Sequence, residues 1–256
     1  MSIRVRTSFY KAEQHYKVPR GHLIRRTSSG WDVIDPTGTP IQHFTAKPPR
    51  PADTNPNWVS YSDLSPTPLP PIAKFVSIWK VPPLPTDNTL SIYFFNGLED
   101  VNAQNIFQPV LQWGPTIHGS IPGTWSVTSW YTGATGSPGF SSEIIPVAPG
   151  TQLTGVMEFD GKKWTCYFEG YPGTTLFADT IPDMQVAALA LESYTSTAGV
   201  PSNLTLSGPP VSFQVTALAI VSGDALAGYQ WAPYGQWPPS VQNSAAQSGQ
   251  VTTSYS

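Results

Sequence analysis

The chain has one cysteine, Cys166, among 256 residues. No intrachain disulfide can form, which excludes a disulfide-stapled secreted scaffold. Charge is scarce as well: Asp, Glu, Lys and Arg make up 11% of the chain, and the formal net charge is −3. No apolar run approaches the roughly 18 residues that a membrane-spanning helix needs. Little charge with many Gly, Pro and aromatic residues does not suit a helical bundle, which needs long stretches free of Gly and Pro. The opening MSIRVRTSFYKAEQHYKVPRGH carries charge but no apolar core, so it does not read as a secretory signal. The Gly-rich phosphate loop and the G-x-S-x-G nucleophile turn are both missing. His118 is the only histidine beyond residue 50, which leaves no His cluster for a metal in the body of the chain. These absences lead to the expectation of a cytoplasmic protein with no cofactor, no metal and no membrane partner. The sequon Asn203-Leu204-Thr205 has no chemical consequence in such a compartment.

What the chain has in abundance is turn-formers and rings: 28 Pro, 21 Gly, 11 Tyr, 11 Phe and 9 Trp. That composition suits short strands joined by turns, in a sandwich or barrel. The length allows one large β domain, or a domain with an extension. Charge is unevenly spread. Residues 1–50 hold nine Lys/Arg and three Asp/Glu, and the rest holds four and thirteen, so the first segment is about +6 and the body about −9. The asymmetry fits a basic extension lying on an acidic body, or a solvated basic tail. It argues against nucleic acid as a partner, because the body would repel phosphate.

Residues 1–50 contain three short apolar pieces: His22 to Arg26, Trp31 to Ile34 and, after the turn Asp35-Pro36-Thr37-Gly38, Ile41 and Phe44. They read as a small β-meander too small to be stable alone. The stiff run Lys47-Pro48-Pro49-Arg50-Pro51 and a linker over 51–55 lead to the body, residues 56–228. There the strand signals are Ala73 to Val81, Leu90 to Asn96, Phe107 to Trp113, Trp125 to Tyr131, Gly150 to Phe159, Lys163 to Glu169, Val186 to Tyr194 and Val211 to Val221. From Trp125 to Tyr131 the alternation puts Trp125, Val127 and Ser129 on one face and Ser126, Thr128 and Trp130 on the other. Asp160-Gly161 is a two-residue hairpin signal. Residues 229–256 lack periodicity and read as an extended aromatic strap (Tyr229, Trp231, Tyr234, Trp237) with a disordered Ser/Gln-rich tail. The expected fold is all-β: an antiparallel two-sheet sandwich with a small N-terminal β extension.

In order along the chain, these pieces resemble the eqolisins, the fungal glutamic peptidases. Asn57-Trp58 precedes a strand ending in Val81-Pro82. Phe94-Phe95-Asn96-Gly97-Leu98-Glu99 leads to Ile106-Phe107-Gln108-Pro109-Val110. Trp130-Tyr131 ends a Trp-rich strand, Ala148-Pro149-Gly150 enters a hairpin, and Ala187-Ala188-Leu189-Ala190-Leu191-Glu192 closes the set. The resemblance covers about residues 56–222. It implies a lectin-like sandwich and puts residues 1–50 where the family keeps a basic propeptide. It also implies that Gln108 stands at the catalytic Gln and that Trp58, Trp130 and Tyr131 line the cleft. The catalytic Glu falls on Ala188, and an acidic position of the Trp-rich strand falls on Ser129. Glu192, four residues beyond Ala188, faces the same side of a strand but lies roughly 13 Å away.

A carboxylate can activate water while an amide orients it and steadies an oxyanion; Gln can do only the second. Among the body's carboxyls, Glu192 is the one inside an apolar strand, where desolvation suits it to acid–base work. It could equally be a structural Glu bonded to a neighbouring Tyr. Gln108 and Gln112, four apart beside Trp113, read as a polar pair in an aromatic cleft or as satisfied sheet-face amides. Cys166 reads as a core residue. The candidate site is therefore Gln108 and Glu192 as catalytic groups, with Trp58, Gln112, Trp130, Tyr131 and Glu99 as substrate contacts. The expected partner is a peptide or small molecule, with no cofactor. The candidate functions are a diverged acid–base enzyme, an inactive homologue or lectin-like binder, and a latent acid endopeptidase.

Overall fold

The computed structural model describes residues 15–46, 58–65, 67–102, 104–116, 119–133, 137–194, 211–223, 229–235, 241–245 and 250–255. Among these there are nineteen strands and no helix. In chain order they are β1 (His15–Lys17), β2 (Leu23–Arg26), β3 (Gly30–Ile34), β4 (Pro40–Thr45), β5 (Trp58–Ser65), β6 (Ile72–Lys80), β7 (Ser91–Asp100), β8 (Ile106–Trp113), β9 (Trp125–Thr132) and β10 (Gly139–Ser141). There follow β11 (Ile145–Val147), β12 (Gln152–Phe159), β13 (Lys163–Phe168), β14 (Tyr171–Asp179), β15 (Met184–Tyr194), β16 (Val211–Ile220), β17 (Gln230–Gly235), β18 (Val241–Ala245) and β19 (Gln250–Tyr255).

The strands form two sheets. The first runs β1-β10-β9-β8-β7-β15-β5-β17, with β11 also on β9; the second runs β18-β19-β16-β6-β12-β13-β14-β2-β3-β4. Alternation decides which side chains lie between them. In β9, Trp125, Val127 and Tyr131 enter the inter-sheet core with Phe94, Leu111, Trp79 and Phe168. Trp130 joins a separate cluster on the opposite face of the first sheet, with Tyr93, Phe95, Val110, Ala188 and Ala190. The Asp160-Gly161 hairpin is as read: Gly161 has φ of 89°, and the Asp160 carboxylate accepts from the backbone N–H groups of Lys162 and Lys163, each at 2.9 Å.

Two pairings are parallel rather than antiparallel, β1 with β10 and β14 with β2. Both come from the basic N-terminal segment, whose described part is woven into both sheets. Val18, Ile24, Trp31 and Val33 lie in the main core. Arg25 does reach the body, with Nη2 2.9 Å from Asp179 Oδ2, but that guanidinium is largely exposed and such pairs contribute at most about 1 kcal/mol. Apolar burial and strand pairing hold this segment, more than the charge asymmetry that suggested its docking.

The C-terminal expectation is corrected too. The strap is an extended strand, β17, paired with β5 and with Trp231 stacked on Phe75; where a disordered tail was expected, the β18–β19 hairpin adds to β16. Edge strands are joined by backbone hydrogen bonds, so a Ser/Gln-rich stretch without hydrophobic period pairs as well as an apolar one. Residues 1–14, the linker 51–55, the sequon and His118 lie outside the described residues.

Trp31 is 4% exposed. Trp31→Ala is expected to lower the unfolding free energy by about 3–5 kcal/mol, the usual loss for a buried Trp, in chemical denaturation. A loss under about 1 kcal/mol would make the extension peripheral.

Candidate functional site

The face of the first sheet that points away from the second sheet carries the candidate groups, and the strand register arranges them in rows. One row runs Ser126, Gln112, Tyr93, Glu192 across β9, β8, β7 and β15, ending at the register position of Trp58 in β5. The next runs Thr128, Val110, Phe95, Ala190, Tyr61. In the one after, Trp130 pairs with Gln108, and Gly97 pairs with Ala188, which pairs with Asp63. A Cβ placed on Gly97 would come within 3.3 Å of Gln108 Oε1, so the Gln108 amide leans over that glycine. The last row holds Thr132, Ile106, Glu99 and Val186.

Glu192 is thus in register with Gln112, not with Gln108; the Gln108 row is two rows away. Glu192 lies where β15 shifts register against β5, between Leu191 and Glu192, a bulge of the kind that re-aims side chains beside functional sites. Glu192 is fully buried, and its Oε1 accepts from the Tyr194 hydroxyl. Tyr93 packs edge-on to both Tyr194 and Trp130, each at 5.9 Å between ring centroids. Gln112 Nε2 donates to the Gly119 carbonyl at 3.0 Å. Gln108 is 0% exposed, and neither atom of its amide has a hydrogen-bond partner among the described residues. Ser126 Oγ, Thr132 Oγ1 and Gln112 Oε1 on the same face lack one as well.

Tyr131 does not join Trp130. Neighbours along a strand point to opposite faces, and Tyr131 enters the inter-sheet core beside Phe140 and Phe107. Its hydroxyl donates to Asn105 Oδ1 at 2.8 Å, and burial pushes its pKa up to about 12. It braces the turn after β7, where Asn105 Nδ2 in turn donates to Asp100 Oδ2 at 2.9 Å. Ser129 is likewise inside the sandwich, next to Cys166, whose thiol burial pushes well above its ordinary range.

Three residues of this face escape a reading of the sequence. Tyr194 and Asp63 carry a faint signal, being two residues from Glu192 and from Tyr61 and so on the same faces. His15 carries none, because only the parallel pairing of β1 with β10 brings it here. Its Nε2 lies 2.9 Å from Ser141 Oγ and its ring 6.3 Å from that of Trp130. Burial lowers its pKa to about 4. A pocket of about 550 Å³ opens on the other sheet, lined by Ile78, Lys80, Pro82, Pro83, Pro149 and Gln214. Its lining contains no carboxyl. No group of three His, Cys, Asp or Glu among the described residues could hold a metal ion.

Scytalido-glutamic peptidase, solved with a peptide-based transition-state analogue, superposes with a TM-score of 0.53 at 13% identity, over 78% of this chain and 98% of that one. The fold is eqolisin-like. SCP-B, a member of the eqolisin family solved with the tripeptide Ala-Ile-His, covers the same shares at 13% identity with a TM-score of 0.49. A toad ovary galectin solved with thio-digalactose matches 52% of this chain at 18% identity and a TM-score of 0.35. No family profile and no curated protein sequence matches. On this eqolisin-like frame, position 188 is a methyl group in the row of Gln108; Asp63 pairs with it, Glu99 lies in the next row and Glu192 two rows away.

Two outcomes follow from burial. Cys166 is expected to resist alkylation by iodoacetamide in the native protein and to react fully in denaturant, read by mass spectrometry; fast native labelling would contradict its place in the core. His15 has a folded pKa near 4, below the ordinary value of about 6.5. The unfolded chain therefore takes up this proton first, and the stability His15 confers, complete above about pH 6.5, is lost as pH falls toward 4. His15→Gln should flatten the fall in denaturation midpoint over that window relative to wild type. Parallel curves would show that His15 ionises at no cost.

Proposed function

We propose that the protein is an acid–base hydrolase that acts on a peptide-like chain lying across the outer face of the first sheet. Glu192 takes a proton from water as the water oxygen bonds to the substrate carbonyl carbon. It returns that proton to the amine nitrogen when the carbon–nitrogen bond breaks. An amide N–H of Gln112, which shares the Glu192 row, donates to the carbonyl oxygen as it gains negative charge, while the Gln108 amide two rows away anchors the chain. Tyr194 holds the Glu192 carboxyl in place.

The observation that carries this reading is the Gln108 amide, wholly buried and without a partner among the described residues, on the face that holds Glu192 and Glu99. A buried amide left unpaired costs about 1–3 kcal/mol, so it persists where a bound group uses it. A second reading, a binding protein on a peptidase-like scaffold, draws its support from Ala188, a methyl where the resemblance expects the catalytic carboxyl. A latent endopeptidase released by loss of residues 1–50 fits less well, since that loss would strip β1 to β4 from both sheets.

Assays of peptide-mixture cleavage from acid to neutral pH separate these readings. Wild type should cleave. Glu192→Gln should lower kcat/KM by about 10²–10⁴, the usual contribution of a general acid or base, with its melting curve unchanged. Gln108→Ala should also fold and lose activity. Full activity in Glu192→Gln removes that residue from the chemistry, and binding without cleavage in wild type favours the second reading.

A further inference from the structure

The cavity on the second sheet has no part in that reaction, and strand pairing explains why it is there. β16 runs beside β6 from Ile220 to Gln214, which is in register with Ile78. Beyond that pair the ladder ends. Val211, Ser212 and Phe213 pair with β19, while β6 runs on through Trp79 and Lys80. The cavity of about 550 Å³ takes in both sides of this split, Ile78 and Lys80 from β6 with Val211 and Gln214 from β16. Pro82, Pro83 and Pro149 complete the lining. Val81 ties those proline segments together: its N–H donates to the Thr151 carbonyl at 2.9 Å, and its carbonyl accepts from the Gly150 N–H at 2.8 Å. Proline rings fix the backbone that carries them, so this wall is formed before any ligand arrives.

The charge in this cavity is of one sign. Residues 51–256 hold four Lys/Arg, all of them Lys. Lys74 Nζ is 3.2 Å from Glu158 Oε2, Lys163 lies 4.5 Å over the Phe177 ring, and Lys162 stands on the hairpin turn beside the Asp160 carboxylate. Lys80 is the one that lines the cavity. Among the described residues no carboxylate pairs with it. Its partner in register is Gln152, an exposed amide that also lines the cavity.

We infer that this cavity is a binding site for a small aromatic carboxylate, separate from the peptide-like substrate of the first sheet. The volume falls within the roughly 300–1,000 Å³ of small-molecule sites, which are mostly apolar with a few placed polar groups. The ring lies against the proline and isoleucine side chains; apolar faces of this kind meet wherever Pro-rich segments dock on aromatic residues. The carboxylate accepts from the Lys80 ammonium, which offers three N–H donors, and the Gln152 amide adds another at the rim. An amine in the same place would face Lys80 with no anion to offset it. A neutral ring would fill the cavity without the ion pair.

The test is calorimetric titration of the full chain with 2-naphthoate, 2-naphthamide and acetate at low ionic strength. Naphthoate should bind about 3–10-fold more tightly than naphthamide, the range of a partly exposed charge-assisted pair, and the gap should narrow as salt is added. Acetate, which has the charge without the ring, should not compete. Lys80→Met keeps the apolar stem and should abolish the preference; Lys80→Arg should keep it. Gln152→Glu sets a competing carboxylate beside Lys80 and should weaken naphthoate binding while leaving naphthamide unchanged. Both positions are exposed, so the variants should melt as wild type does. Equal affinity for naphthoate and naphthamide, no binding of either, competition by acetate, or a preference that survives in Lys80→Met would overturn the site.

Discussion

The arrangement of the outer face hangs on the hydrogen-bond register of β15 against β7 and β5. Ten residues of β15 pair with β7 from Met184 to Tyr194, and five pair with β5. Because side chains alternate, a slip of one residue would turn Glu192 and Tyr194 into the inter-sheet core and bring Leu189 and Leu191 out. Burial of Leu189 and Leu191 against the second sheet forbids that slip. The apolar half of the strand thus sets where the polar half can act, and bulges at both ends of β15 absorb the mismatch with its neighbours.

The same rule makes this sheet two-sided. Its inner face is a conventional core, closed against the second sheet by aromatic contacts such as Phe107 with Trp164. Its outer face is also buried, yet it carries carboxyls, amides and hydroxyls among the rings. Polar groups there cost free energy unless something hydrogen-bonds to them. Their concentration on one face, where the other holds mainly hydrocarbon, sets this region apart from a structural interior. Small residues at Gly97 and Ala188 open space among them, and the tyrosines around Glu192 close it.

Much of the architecture was legible because it rests on local patterns. Trp125 to Tyr131 alternates with a period of two, and it forms β9 with Trp130 outward, as that pattern requires. Asp160-Gly161 has the chemistry of a tight turn and makes one. The same alternation, taken literally, excludes Tyr131 from the face of Trp130; only the resemblance had put both in one cleft. The C-terminal strands were not legible. β19 is held by backbone pairing to β16, which leaves no imprint on a run of Ser, Thr and Gln.

The sequence by itself determined that the chain folds as β strands in two layers and which residues of each strand share a face, since turn chemistry and side-chain period are local properties. It also determined that Gln108 and Glu192 were worth singling out, one amide and one carboxyl set into apolar strands. Only the tertiary structure decided which strand lies beside which and in what register. That register pairs Glu192 with Gln112, puts Asp63 beside Ala188, and brings His15 from the basic segment to Trp130. Each is a contact between residues far apart in the chain, and their positions come from the packing of neighbouring strands, which no local pattern encodes.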